Sequence, residues 1–122
     1  MGNRNDFELE TWIVQVGGEV IERKTAHGAA AISSLEKLIY CLWVADYGMR
    51  NGGSLETAAD VYTPFQNEGA SLAFELELPR TLAAFSLPTA ELESRYFELL
   101  GEVVGEIDSK RCTDGGGDMH RI

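Results

Sequence analysis

The chain is poor in the residues that build metal centres and disulfide frameworks. Its 122 residues include two cysteines, Cys41 and Cys112, and two histidines, His27 and His120. A zinc site needs several such ligands at short spacing, and two distant cysteines make no disulfide framework. We therefore expect reduced thiols, no metal site and no bound cofactor.

Long hydrophobic runs are also missing. No stretch approaches the ~20 apolar residues of a membrane-spanning helix, and the opening residues MGNRNDFELE contain no signal-peptide core. We therefore expect a cytoplasmic protein that does not contact the membrane. Hydrophobic residues make up 44% of the chain and charged residues 25%, which is typical of a folded protein, and the length fits one domain.

The chain also lacks the short motifs of well-known catalytic sites. It has no glycine-rich phosphate loop, no G-x-S-x-G sequence and no H-E-x-x-H sequence. The sequence therefore indicates no reaction class, and we expect a protein that is not an enzyme.

Positive charge is scarce. The chain has 20 acidic and 10 basic residues, a net charge of −10, and residues 51–108 carry only two bases, Arg80 and Arg95. Direct binding to nucleic acid is disfavoured, because phosphate contacts need lysine and arginine. A strongly acidic surface attracts a basic protein instead, although acidity also serves solubility without any partner.

Helical spacing of the apolar residues predicts an all-α fold of five or six helices in a single compact domain. We expect this domain to cover residues 1–111 and the glycine-rich segment 112–122 to be a flexible tail. The competing interpretation is an α+β fold, because residues 12–16 and 72–78 also fit strands.

Capping signals indicate where the helices begin. Asn5 and Ser33 are each followed three residues later by glutamate, and Thr63 is followed by Gln66, which is capping-box spacing. The helix after Ser33 is apolar on nearly every face, which is typical of a central helix. It is predicted to stop at residues 51–53, N-G-G, because glycine adopts the left-handed conformation that ends a helix.

Asp46 is the unusual residue of this central helix, because it falls on the stripe that faces the core. A buried carboxylate must be paired, hydrogen-bonded or protonated. We predict that Asp46 has a structural role and accepts backbone N–H groups from the turn Asn51-Gly52-Gly53-Ser54 or from the start of the next helix. The alternative is a general acid or base with a raised pKa.

Four glutamates of the last helix are the predicted binding residues. Glu98, Glu102 and Glu106 follow one another at intervals of four and form one row of like charge. Glu91 lies four residues before Arg95. Pairing with Arg95 offsets the negative charge at one end of the helix only. The row indicates a surface that a basic partner grips, and the alternative is a solvated helix face.

One stretch resembles a known family. Residues 38–62, LIYCLWVADYGMRNGGSLETAADVY, resemble a bacterial family of small helical domains of unknown function that includes an acidic DNA-mimic protein of Neisseria. Trp43, Asp46 and residues 51–53 match the family's aromatic-rich helix, acidic residue and N-G-G. Residues 54–56 depart from the aromatic and glutamine that follow there. The resemblance implies an all-helical fold and, for one member, mimicry of DNA charge toward a DNA-binding protein.

These observations favour a non-catalytic acidic helical module that binds a basic protein surface, as a DNA mimic or as an inhibitor of the immunity type. Two alternatives stay open. One is a small enzyme that uses Asp46 near the N-G-G turn. The other is a homo-oligomer whose acidity serves only solubility.

Overall fold

The computed structural model describes residues 5–113, and within that range every regular element is helical. A short 3-10 turn at Ala29–Ala31 joins the first two of six α-helices. These are α1 (Asp6–His27), α2 (Ser34–Gly52), α3 (Leu55–Val61), α4 (Phe65–Glu75), α5 (Pro79–Phe85) and α6 (Thr89–Arg111). The all-α prediction is confirmed, and the α+β alternative is wrong. Both segments proposed as strands lie mainly in helices, 12–16 in α1 and most of 72–78 in α4.

Most of the predicted tail lies outside the described residues, since only Cys112 and Thr113 of segment 112–122 are included. Its flexibility stays a prediction. Between residues 5 and 113, no helix combines the length and the hydropathy that crossing a bilayer requires.

Two of the three predicted capping boxes form. The Asn5 side chain accepts the N–H of Glu8 at 2.8 Å, and the Glu8 carboxylate accepts the N–H of Asn5 at 3.1 Å. Ser33 and Glu36 make the same reciprocal pair at the start of α2. These boxes are local, which is why three-residue spacing predicted them correctly.

The third predicted box does not form. The Thr63 hydroxyl donates backwards to the carbonyl of Ala59 at 3.0 Å, and Pro64 occupies the cap position of α4 without a side-chain hydrogen bond. The Gln66 amide instead donates to the carbonyls of Phe85, the last residue of α5, and of Leu87. A tertiary contact therefore takes the side chain that local spacing assigned to the cap.

Helix α2 is the central helix, as predicted, and contacts α1, α3, α4 and α6. It ends where the N-G-G sequence predicts. Gly53 adopts a left-handed conformation with a φ of 71°, and its N–H donates to the carbonyl of Met49 at 3.1 Å. The buried residues of α2 include Leu38, Ile39, Cys41, Leu42, Val44 and Ala45.

Gly48 allows α3 to pack directly on α2. A Cβ atom at Gly48 would lie 2.5 Å from the backbone nitrogen of Ala58, a distance that real side chains do not tolerate. The short helix α3 therefore contacts α2 backbone to backbone, immediately after the turn that joins them.

We expect Gly48→Ala to lower the free energy of unfolding by about 1–3 kcal/mol, because the added methyl group forces two backbones apart. The matched control is Gly18→Ala in α1, where an added Cβ meets nothing within 4 Å. That change should raise stability by about 0.5–1 kcal/mol, since alanine is the better helix former. Guanidinium denaturation followed by circular dichroism measures both, and a stabilised Gly48→Ala protein would contradict the packing.

Candidate functional site

Asp46 is buried, as predicted, but its partners differ from those predicted. The residue is 4% exposed. Its Oδ1 accepts the hydroxyl of Tyr96 on α6 at 2.7 Å, and its Oδ2 accepts Nε of Arg50 at 2.8 Å. Both carboxylate oxygens are therefore engaged by side chains, and no backbone N–H of the following turn is among these partners.

The turn is held by other groups. The Asn51 side chain donates to the carbonyl of Tyr47 at 3.0 Å. The N–H of Leu55, which opens α3, donates to the carboxylate of Glu93 on α6 at 2.8 Å. At Gly52 an added Cβ would lie 2.1 Å from the Thr57 hydroxyl, so this position needs a residue without a side chain.

Arg50 contacts residues of three helices. One terminal nitrogen of its guanidinium contacts Asp6 at 3.1 Å, and the other contacts Glu10 at 3.6 Å, so the side chain pairs with two of the three acidic residues at the start of α1. The guanidinium also lies 5.1 Å from the ring centroid of Phe97 on α6. Together with its bond to Asp46, these contacts connect α1, α2 and α6.

Burial and pairing act in opposite directions on this cluster. Burial raises the pKa of Asp46, while the Tyr96 hydroxyl and the Arg50 guanidinium act to lower that pKa. Burial and the neighbouring carboxylate raise the pKa of Tyr96 well above its ordinary value. Burial lowers the pKa of Arg50, but its bonds and charge interactions with Asp6 and Asp46 outweigh this and raise it. The arrangement supports the structural role of Asp46 through contacts that the sequence did not reveal.

We expect Tyr96→Phe to lower the free energy of unfolding by about 1–3 kcal/mol, because a buried carboxylate oxygen loses the hydroxyl group that donates to it. Asp46→Ala should lower the free energy of unfolding by a similar amount. The double variant should lower it by less than the sum of the two single variants. The matched control is Tyr47→Phe on the exposed surface. Urea denaturation of the four proteins tests the cycle, and strict additivity would show that the two side chains do not interact.

Cys41 is not a reactive thiol. It is fully buried in α2, and its sulfur lies 3.7 Å from a carboxylate oxygen of Glu68. Burial, with a further contribution from Glu68, raises the pKa of the thiol far above its ordinary value. Because the thiolate is the nucleophile, this environment suits a small buried hydrophobic residue.

The row of glutamates on α6 lines an open groove. Glu98, Glu102 and Glu106 lie along a groove of about 920 Å³ between α6, the start of α5 and the start of α1. Gly101 and Gly105 belong to the same wall, and an added Cβ at either would meet nothing within 4 Å. We call this the α6 groove, and its other lining residues are Asp6, Leu9, Leu78, Arg80, Phe97, Ser109, Lys110 and Thr113.

Two of these glutamates are exposed and weakly paired. A terminal nitrogen of Arg95 lies 3.2 Å from the Glu98 carboxylate, and one of Arg80 lies 3.4 Å from the Glu102 carboxylate. The glutamate side chains are 65% and 56% exposed, respectively. Glu91 pairs with Arg95 at 3.6 Å, as predicted, and is not among the groove's lining residues. Exposed pairs of this kind contribute little to stability.

Glu106 differs from the rest of the row, because its carboxylate caps helix α5. One oxygen accepts the N–H of Thr81 at 2.8 Å and its hydroxyl at 2.9 Å, and the other accepts the N–H of Arg80 at 2.9 Å. The residue at the cap position, Leu78, makes no side-chain cap. Glu106 therefore supplies the acceptor that the sequence before α5 lacks.

We expect Glu106→Ala to lower the free energy of unfolding by about 1–2 kcal/mol, since the start of α5 loses its cap. The matched control is Glu102→Ala, one turn earlier on α6, which loses only an exposed ion pair and should change stability by less than about 0.5 kcal/mol. Thermal and urea unfolding compare the two, and equal effects would show that Glu106 is no more than a surface residue.

Comparison of the chain with protein-family models, with curated proteins and with solved structures returns no match. The family resemblance of residues 38–62 stays a prediction. Within residues 5–113, no group of three or more histidine, cysteine, aspartate or glutamate side chains is arranged to hold a metal ion.

Proposed function

We propose that this protein is a non-catalytic acidic module of the bacterial cytoplasm that binds a basic protein surface through the α6 groove. The observation that carries the proposal is the exposure of Glu98 and Glu102 along an open groove, in a chain with a net charge of −10.

Charge at the groove favours a cationic partner. Asp6, at the start of α1, adds a third carboxylate whose side chain is 66% exposed. The existing pairs with Arg80 and Arg95 are exposed, so arginines and lysines of a partner replace them at little cost in free energy. The lining carries four carboxylates against the two cations Arg80 and Lys110. A concave surface with such an excess of one sign of charge steers an oppositely charged partner.

The shape of the groove favours close approach. Gly101 and Gly105 remove side-chain bulk between the glutamates, so a partner's side chains reach the α6 backbone. Phe97 lies at one side of the groove and is 47% exposed, which provides an aromatic contact next to the charges. Interfaces combine such an aromatic contact with surrounding polar groups.

A basic protein surface occupied in this way is blocked for its usual anionic ligand. A DNA mimic and an inhibitor of the immunity type both act by this physical means, the first on a DNA-binding protein and the second on a toxin with a cationic site. The two forms share the requirement for exposed carboxylates and differ only in the partner.

We expect the double variant Glu98→Gln/Glu102→Gln to bind its basic partner about tenfold more weakly at low salt and to show a flatter salt dependence. The matched control is Glu56→Gln/Asp60→Asn, which removes the same charge from the exposed surface of α3. The partner is first captured from cell extract at low salt, identified, and then titrated calorimetrically with each purified protein.

Three results would contradict the proposal. One is the absence of any basic protein released by high salt. Another is equal weakening by the two double variants, which would show an effect of net charge alone. The third is equal binding by wild type and the groove variant.

A further inference from the structure

Three aromatic side chains lie one after another on the outward side of α2. The ring centroid of Trp43 is 6.3 Å from that of Tyr40 and 5.6 Å from that of Tyr47, with the ring planes within 19° of parallel. Tyr40 and Trp43 are half-buried, and Tyr47 is 41% exposed. We call these three residues the aromatic strip. Neither the buried Asp46 cluster nor the α6 groove uses it.

Helix α1 extends the apolar surface beside the strip. Gly17 lies against Trp43, where an added Cβ would come within 2.6 Å of the indole ring. This contact and the Arg50–Glu10 pair show that α1 and α2 run antiparallel. The same register places the exposed side chain of Val14 near the level of Tyr47. We call the surface formed by the aromatic strip, Val14 and Ile21 the α1–α2 face.

One end of this face is cationic. The Lys24 ammonium lies 5.2 Å from the ring centroid of Tyr40, and Lys37 precedes Tyr40 by one helical turn. Within residues 5–113 neither lysine forms an ion pair with a carboxylate. Two positive charges are therefore left beside the aromatic strip.

The opposite end is anionic. Asp6, Glu10 and Asp46 surround Arg50, which leaves two carboxylate charges in excess when all three are ionised. The side chains of Asp6 and Glu10 are 66% and 48% exposed. The α1–α2 face is therefore apolar along its length, with opposite charges at its two ends.

We propose that a second copy of this chain docks on the α1–α2 face, with the helices of the two copies antiparallel across a two-fold axis. In this arrangement the lysine end of each copy meets the carboxylate end of the other. A parallel arrangement would bring lysines to lysines and carboxylates to carboxylates, which is repulsive. A two-fold contact uses the same surface on both copies and closes as a dimer.

The size of the face sets the strength of the dimer. The fifteen helical residues from Glu10 to Lys24 span about 20 Å, and two adjacent helices are about 20 Å wide, which gives roughly 400 Å² per copy. A stable dimer buries about 800 Å² per copy. The dimer is therefore weak and reversible, with the tryptophan and tyrosines as its main contributors. Asp6 belongs to both surfaces, but Glu98 and Glu102 lie on α6, outside the α1–α2 face, so each copy in the dimer keeps these two carboxylates accessible.

Sedimentation equilibrium over a range of concentrations, from about 5 to 500 μM, tests the proposal. We expect wild type to shift from monomer to dimer over this range. Val14→Lys/Tyr47→Lys should remain monomeric, because it places charge in the apolar centre of the contact. The matched control is Phe74→Lys, which changes an exposed phenylalanine of α4, 73% exposed, and should dimerise as wild type does. Circular dichroism verifies that every variant is folded.

A charge exchange tests the antiparallel arrangement without relying on the apolar variant. Lys24→Glu/Lys37→Glu makes both ends of the face acidic, and Glu10→Lys adds positive charge at the carboxylate end. Each variant alone should dimerise at least tenfold more weakly than wild type. An equimolar mixture should recover part of the dimer. In a mixed dimer the lysine end of the Glu10→Lys copy meets the carboxylate end of the other copy, and the net-neutral Glu10→Lys end meets the two introduced glutamates without repulsion between like charges.

The proposal is overturned by any of three outcomes. These are a wild-type protein that stays monomeric up to about 500 μM, a Phe74→Lys control that loses the dimer, and a mixture of charge variants in which dimers do not reappear. None of these outcomes bears on the α6 groove, because a monomer presents the same groove to a basic partner.

Discussion

The pairing of Asp46 with Arg50 is the interaction on which the arrangement of the longest helices depends. Asp46 is 4% exposed, and burying a carboxylate so deeply lowers the stability of the fold unless the carboxylate is paired. Arg50, four residues later on the same helix, supplies the charge, and Tyr96 from α6 supplies the second hydrogen bond. The same guanidinium extends to Asp6 and Glu10, so it also sets where α1 begins against α2. Both surfaces discussed above follow from this alignment, since Asp6 lines the α6 groove and Glu10 lies at the anionic end of the α1–α2 face.

The acidity of α6 has a structural part and an exposed part. Glu93 accepts the first N–H of α3, and Glu106 accepts two N–H groups at the start of α5. Each of these short helices thus receives a carboxylate at its positive end from the same long helix. The residues that remain for a partner are Glu98 and Glu102, with Glu91 further along. A count of acidic residues overstates the available binding surface, because it does not separate the carboxylates that cap helices from those that are exposed.

Local patterns predicted the helices well, and long-range contacts account for the errors. The capping boxes at Asn5 and Ser33 and the glycine stop at Gly53 involve residues within a few positions of one another, so spacing is sufficient to find them. One partner of Asp46, Arg50, is four residues away, at the ordinary spacing of a helical ion pair. The other partner, Tyr96, is 50 residues away, and the helix start capped by Glu106 is 25 residues away. No periodicity encodes such distances. Sequence alone placed Asp46 in the core and the glutamates in one row, but it did not show which oxygens were already engaged.

The distinction between engaged and free groups also decides which surfaces merit a functional interpretation. Solubility explains acidity in general, but it requires neither a groove walled by Gly101 and Gly105 nor carboxylates aligned along it. Glycine inside a helix costs about 1 kcal/mol relative to alanine, and here neither glycine is required by a neighbouring atom. The same reasoning applies to Tyr47 and Val14, whose exposed apolar surface the core does not need. Such residues lower stability or expose apolar surface, and no contact within the fold accounts for them. Contact with a partner would account for them.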